Sequence, residues 1–147
     1  MKYVVYTDAA SSSQKRVSGC SYIILTDKTY VSSDSVKVNS TSNPTHAEVV
    51  SIGLAAAYAI DHLNPSEEDE FEFFSDCFSA IKFCNQCLES TGIVPSNSRV
   101  VINSINILRK LSEKSKVVFQ KVHGHKDRIN PNTFVDRLAK LPLRRDY

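Results

Sequence analysis

The sequence contains no apolar run approaching the ~20 residues that a membrane-spanning helix requires. Its amino end, Met1-Lys2-Tyr3-Val4-Val5-Tyr6-Thr7-Asp8, carries too few apolar residues for the core of a secretory leader. Both absences set the expectation of a cytoplasmic protein with no membrane partner. Internal repeats and long low-complexity stretches are missing too, which excludes repeat architectures. Cysteine is sparse, at positions 20, 77, 84 and 87. Cys84 and Cys87 make one C-x-x-C, but no second pair and no histidine at finger spacing follows. The pair also falls in a helical stretch, where residues three apart share a face, so buried free thiols are expected rather than a zinc or redox site. No basic cluster is dense enough to mark nucleic-acid binding by itself.

What is present is ordinary in bulk. The 147 residues suit one domain spanning 1–147, 41% hydrophobic and 23% charged. A domain of this size buries roughly 68–70% of the surface its unfolded chain exposes, so it needs no disulfide or metal to fold. The net charge of +2 hides an asymmetry. Residues 1–97 hold 6 Lys or Arg against 12 Asp or Glu, and residues 98–147 hold 12 against 4. Such segregation sets up an oriented field over the surface.

Hydrophobic periodicity orders the chain. Lys2 to Asp8, Gly19 to Thr26 and Lys28 to Lys37 read as three strands of a meander, with Ser11 to Ser18 as a polar loop. Asn43-Pro44-Thr45 starts a helix over 45–63, with Val50, Leu54, Ala57 and Ile60 at helical spacing and small residues for close packing on a sheet. Glu67 to Glu70 is a solvated acidic loop, Glu70 to Ser75 a fourth strand, and Asp76 begins a helix to about Glu89 that partly buries Phe78, Ile81 and Leu88. Ser98 caps a third helix with Val101, Ile105, Leu108 and Leu111 on one face. Lys116 to Val122 is a fifth strand, His123 to Asn130 a polar loop, and Pro131 to about Leu141 a last helix. The order β-β-β-α-β-α-α-β-α predicts an α/β fold with a mixed sheet covered by helices.

Three acidic residues fall at strand ends or helix starts, where ligands of α/β sheets gather: Asp8, Asp76 and Asp136. Glu48 lies in the first turn of its helix. Each also has a plain reading: Asp76 as a helix cap, Asp8 as a turn residue, Glu48 as a surface group favoured by the helix dipole, Asp136 as a partner of Arg137 or Lys140. Converging carboxylates are another matter. Two of them about 4 Å apart repel by ~4 kcal/mol at an effective dielectric near 20, so a cluster of four needs cations. Hard oxygen ligands suit Mg²⁺ or Mn²⁺.

The segments Tyr6-Thr7-Asp8, His46-Ala47-Glu48 with the alanine-rich helix behind it, Phe74-Ser75-Asp76, and Val122-His123-Gly124-His125 leading to Val135-Asp136-Arg137-Leu138-Ala139 resemble type 1 ribonuclease H. The resemblance covers residues 2–141. It implies a ribonuclease H-like fold, a five-stranded mixed sheet with strand 2 antiparallel. It implies an endonuclease that hydrolyses the RNA strand of RNA–DNA hybrids with two Mg²⁺ ions, for which Mn²⁺ can substitute. Asp8 would bridge the ions, with Glu48 and Asp76 on one and Asp136 on the other, and His125 would assist proton transfer or product departure. His46 and His62 match no catalytic position and are expected as ordinary helix residues. The expected partner is the hybrid itself, with no obligatory protein partner and a monomeric state.

The chain departs from that pattern on the substrate side. Asp8-Ala9 stands where the family often has Asp-Gly. Only Asn43 remains of a pair of asparagines before the glutamate, and Phe78 replaces a frequent glutamine. Those polar positions read RNA 2′-hydroxyls, and the basic helical insertion of some members is absent from 91–97. Candidate substrate-binding residues are Ser11, Lys15, Arg16, Asn43, Lys126 and Arg128. Two other readings stay open: a DNA-directed nuclease of the resolvase or integrase kind, and a non-catalytic nucleic-acid-binding module.

Overall fold

The structure, a computed structural model, describes all residues except 13, 28, 40–42, 123–130 and 145–147, and except the side chains of 131–133, 136 and 142–144. Its elements are β1 (Lys2–Ser12), β2 (Val17–Leu25), β3 (Tyr30–Val38), α1 (Pro44–His62), β4 (Glu70–Ser75), α2 (Phe78–Glu89), α3 (Arg99–Lys114), β5 (Lys116–Lys121) and α4 (Pro131–Arg144). The predicted order of elements holds. The five described strands form one mixed sheet in the order β3-β2-β1-β4-β5. β2 runs antiparallel to both neighbours, whereas β1, β4 and β5 are mutually parallel.

The first hairpin is longer than the sequence suggests. The expected loop from Ser11 to Ser18 shrinks to a turn at its tip: Ser11 pairs with Ser18 and Ser12 with Val17, so the ladder runs almost to the end of the hairpin. The two serine hydroxyls lie 2.9 Å apart across the strands, and Val17 is buried. Ladder hydrogen bonds and cross-strand pairing override the polarity of the segment. Asp8 consequently lies inside β1, opposite Ser21, and not in a turn.

Helix α1 packs on β1 and β2 and also against α3, so it is enclosed on two sides. Its tightest burial therefore falls on Val49, Ile52, Ala55, Ala56 and Ala59, while Leu54, Ala57 and Ile60 of the expected stripe are half-buried. The small residues are not all for the sheet. A Cβ added at Gly53 would meet the Ser104 side chain of α3 at 2.5 Å. Gly53→Ala is expected to destabilise the protein by about 1–3 kcal/mol, the usual cost of overpacking. Adding Ser104→Gly should recover part of that loss in chemical denaturation, and a neutral Gly53→Ala would contradict so close an approach.

Helix α3 buries Val101, Ile105, Leu108 and Leu111 as expected, and Ser98 caps it by accepting from Val101 N. Helix α2 buries Ile81 and half-buries Leu88, but Phe78 is 61% exposed, contrary to expectation. Cys84 and Cys87 are buried free thiols. Desolvation pushes the Cys84 thiol well above its ordinary range. Helix α4 crosses the opposite face of the sheet over β1, β2 and β3, tied there by Ser21 Oγ donating to Val135 O and Ser35 Oγ to Leu138 O. No described helix is long and apolar enough to cross a membrane.

Candidate metal centre

The parallel pairing of β1 with β4 builds the site. Tyr6 lies opposite Phe74, and carrying that register two residues further sets Thr7 beside Ser75 and Asp8 beside Asp76. Side chains alternate along a strand, so Thr7 and Asp8 leave β1 on opposite faces. Thr7 and Ser75 meet α1. Both hydroxyls donate to Oε1 of Glu48, at 2.7 Å and 2.9 Å. Glu48 is only 2% exposed and is the fifth residue of α1, in its second turn. It is neither a surface glutamate nor a first-turn dipole partner, contrary to those readings.

Asp8 is also buried, at 4% exposure, and its Oδ1 accepts from Ala9 N at 2.8 Å. Ser51 of α1 donates to the Asp8 carbonyl at 2.8 Å, stitching strand to helix at this point. Asp76 is exposed and precedes α2. The cap of that helix is Cys77, so Asp76 is not the cap residue. Asp8, Glu48 and Asp76 each offer a carboxylate oxygen, and these oxygens lie within 4.8 Å of one another. Burial is the main force on Glu48 and lifts its carboxyl from 4.5 to about 7, with the nearby Asp76 charge adding to the rise and the Thr7 and Ser75 hydrogen bonds opposing it. Three hard oxygen donors at this spacing fit a small divalent metal ion.

Asp136 belongs to α4, and its side chain lies outside the described ones. The residue before it, Val135, is buried and holds Ser21, the ladder partner of Asp8, at 2.6 Å. His125, Lys126 and Arg128 lie outside the described residues, as does His123. Ser11 is half-buried near the end of β1, and Lys15 and Arg16 are exposed at the hairpin tip, where Arg16 takes a positive φ of 55°. Asn43 serves the fold, since its side chain caps α1 by accepting from His46 N at 3.1 Å. It also lines a cavity of about 340 Å³ with Thr45, His46, Phe83 and Ser96. His62 packs against Tyr58 in a tilted pair with ring centroids 4.6 Å apart.

Thr7, Ser75 and Ser51 escape a reading of the sequence alone. The available signal is the pair of dipeptides Thr7-Asp8 and Ser75-Asp76: a short hydroxyl residue before a carboxylate, twice, at the ends of apolar strand segments. Period-two alternation sends both hydroxyls toward the helix that carries Glu48.

This sheet order, with α4 on one face and α1 and α3 on the other, defines a ribonuclease H-like protein. The N-terminal RNase H domain of Rv2228c from Mycobacterium tuberculosis, solved as a fusion with maltose-binding protein, is similar, with a TM-score of 0.73 at 14% identity over 97% of this chain and 94% of that one. RNase H1 from the halophilic archaeon Halobacterium salinarum is similar with a TM-score of 0.69 at 16% identity over 98% of both chains. No curated protein sequence matches this chain. The sequence profile of the RNase H family matches residues 1–143, and the chain belongs to that family.

Proposed function

We propose that this chain is a metal-dependent endonuclease that hydrolyses the RNA strand of RNA–DNA hybrids. The observation that carries the reading is the convergence of Asp8, Glu48 and Asp76 in a chain of the RNase H family. These three residues, joined by Asp136 from α4, would hold two Mg²⁺ ions. A metal pair of this kind supplies an activated water and charge compensation for the leaving oxygen of a phosphodiester.

The chain's own residues prepare the site. Thr7 and Ser75 fix one oxygen of Glu48, so its carboxylate is oriented before any cation binds. The Ser51 bond to the Asp8 carbonyl holds β1 at a set distance from α1. Such preorganisation lowers the reorganisation needed during reaction. His125 is assigned to proton transfer or product departure, and Lys15, Arg16, Lys126 and Arg128 to phosphate contacts.

The test is direct. End-labelled RNA–DNA hybrid, duplex RNA and duplex DNA are incubated with the protein and Mg²⁺. Cleavage of the RNA strand of the hybrid alone is expected. Cutting of duplex DNA instead would favour a resolvase-like enzyme. Mn²⁺ should sustain activity and Ca²⁺ should bind without sustaining it, because its loose coordination by 6–8 ligands spoils the alignment of water and leaving group. Robust cleavage in excess chelator would refute the metal mechanism.

A further inference from the structure

The two carboxylate oxygens of Glu48 keep different company. A carboxylate oxygen has about two lone-pair sites for hydrogen bonds. Oε1 accepts from the Thr7 hydroxyl at 2.7 Å and from the Ser75 hydroxyl at 2.9 Å, so both of its sites are filled. Among the described residues these are the hydrogen bonds of the carboxylate, and Oε2 is the oxygen left for a cation. Thr7 and Ser75 are both fully buried, so no bulk water competes for their hydroxyls. The Ser75 hydroxyl is fixed in turn. Its oxygen accepts from the backbone N–H of Cys77, the cap of α2, at 3.1 Å, which directs its proton to Glu48.

Nothing intrinsic sets the plane of this carboxylate. The last torsion of a glutamate side chain joins an sp³ to an sp² carbon and lacks sharp staggered wells. Helix α1 decides where the side chain starts, and the two hydroxyls decide how its carboxylate is turned. One available oxygen suits some cations better than others. Mg²⁺ demands near-octahedral geometry, keeps several of its waters and is satisfied by one oxygen from a given carboxylate. Ca²⁺ takes roughly 6–8 oxygens and gains from a carboxylate that offers both.

We propose that Thr7 and Ser75 form a selectivity clamp, which limits Glu48 to one oxygen toward a divalent cation and tilts the site from Ca²⁺ toward Mg²⁺. The proposal rests on the metal-dependent reading above. Both hydroxyls act through Glu48, so they are positioning residues. Without them the carboxylate is free to turn and present both oxygens.

The test measures binding rather than turnover. Chelator-stripped wild type, Thr7→Val, Ser75→Ala, the double variant and Thr7→Ser are titrated calorimetrically with Mg²⁺ and with Ca²⁺ at alkaline pH. Metal and proton compete for the same carboxylate, and that competition is common to the two cations, so the ratio of their dissociation constants is free of it. The double variant should lose about tenfold in Mg²⁺ affinity, the usual order for removing a partner of a metal ligand. Its Ca²⁺ affinity should hold, because a second oxygen offsets the loss, so the ratio moves about tenfold toward Ca²⁺. The single variants should move it the same way by less, and they carry the test if the double variant does not fold. Thr7→Ser keeps the hydroxyl and should keep the wild-type ratio. Hydroxyls that merely support the fold would lower both affinities together. An unmoved ratio in variants that fold, with wild type binding Mg²⁺, refutes the clamp and leaves the metal centre standing. If wild type binds neither cation, both readings fall together.

Discussion

Asp8→Asn is expected to lower hydrolysis of the hybrid by at least about 10³-fold, or about 4 kcal/mol of transition-state stabilisation, while leaving the fold intact. The amide keeps the shape of the carboxylate, and its oxygen can still accept from Ala9 N, as Asp8 Oδ1 does at 2.8 Å. What is lost is charge at the buried centre of the cluster. The same change should raise the stability of the metal-free protein. Asp8 and Glu48 are both buried with carboxylate oxygens within 4.8 Å, so above about pH 7, where Glu48 is ionised, the two charges repel by about 3 kcal/mol at an effective dielectric near 20. Denaturation in chelator should show the gain, and added Mg²⁺ should stabilise wild type more than the variant. An Asp8→Asn protein retaining more than about a tenth of wild-type turnover would remove Asp8 from the centre of the reaction.

The second large effect is one of pH on the metal-free protein, and it comes from Glu48. Burial raises its carboxyl from 4.5 in the free group to about 7 in the folded chain. Below pH 4.5 the group is protonated in both states and costs nothing. As pH rises from 4.5 to about 7 the unfolded chain releases the proton and the folded chain keeps it, so stability falls. Above 7 the penalty is constant, at about 3 kcal/mol for a rise of this size. Chelated wild type should therefore be less stable at pH 8 than at pH 5, once compared with Glu48→Gln, which lacks this dependence. The glutamine oxygen can still accept from Thr7 and Ser75, so the comparison isolates the charge. Mg²⁺ should reverse the loss at pH 8, because a cation favours the ionised form. A wild type that follows the same pH course as Glu48→Gln would show that burial does not govern this carboxyl.

The layered fold is legible because its elements carry strong periodic signals. Val101, Ile105, Leu108 and Leu111 repeat at helical spacing and are all buried, and the apolar run before Asp8 pairs with the one before Asp76. Segments stabilised by partners distant in sequence are harder to read. Serines 11, 12 and 18 look like a loop and become strand because each has a partner across the hairpin. Gly53 and its neighbours suggest a sheet contact, and Ser104 of α3 is what presses on Gly53. At the site, the identity of the three carboxylates is readable, but their environments are not. Position in the helix alone puts Glu48 in a first turn with a surface alternative, whereas its burial depends on two hydroxyls from other strands. Apolar character alone puts Phe78 partly in the core, while the phase of α2, set by Ala80 and Cys84, turns it outward.

The order of the strands also dictates when the metal centre comes into being. β1 and β2 are joined by a short tip and close a small loop. β1 and β4 lie side by side but far apart in the chain, with β2, β3 and α1 between them. Closing that larger loop costs more entropy and delays the pairing. A growing chain can therefore form its hairpin, and even the helix bearing Glu48, without assembling a cation site. Asp76 arrives beside Asp8 only with the parallel pairing of β4, so the three-carboxylate cluster is a late gain of the folding reaction rather than a property that accumulates along the nascent polypeptide. On the proposed function, divalent ions would bind the finished sheet and not its precursors, which would make metal affinity a reporter of completed folding and let the ion draw the population toward the native state by mass action.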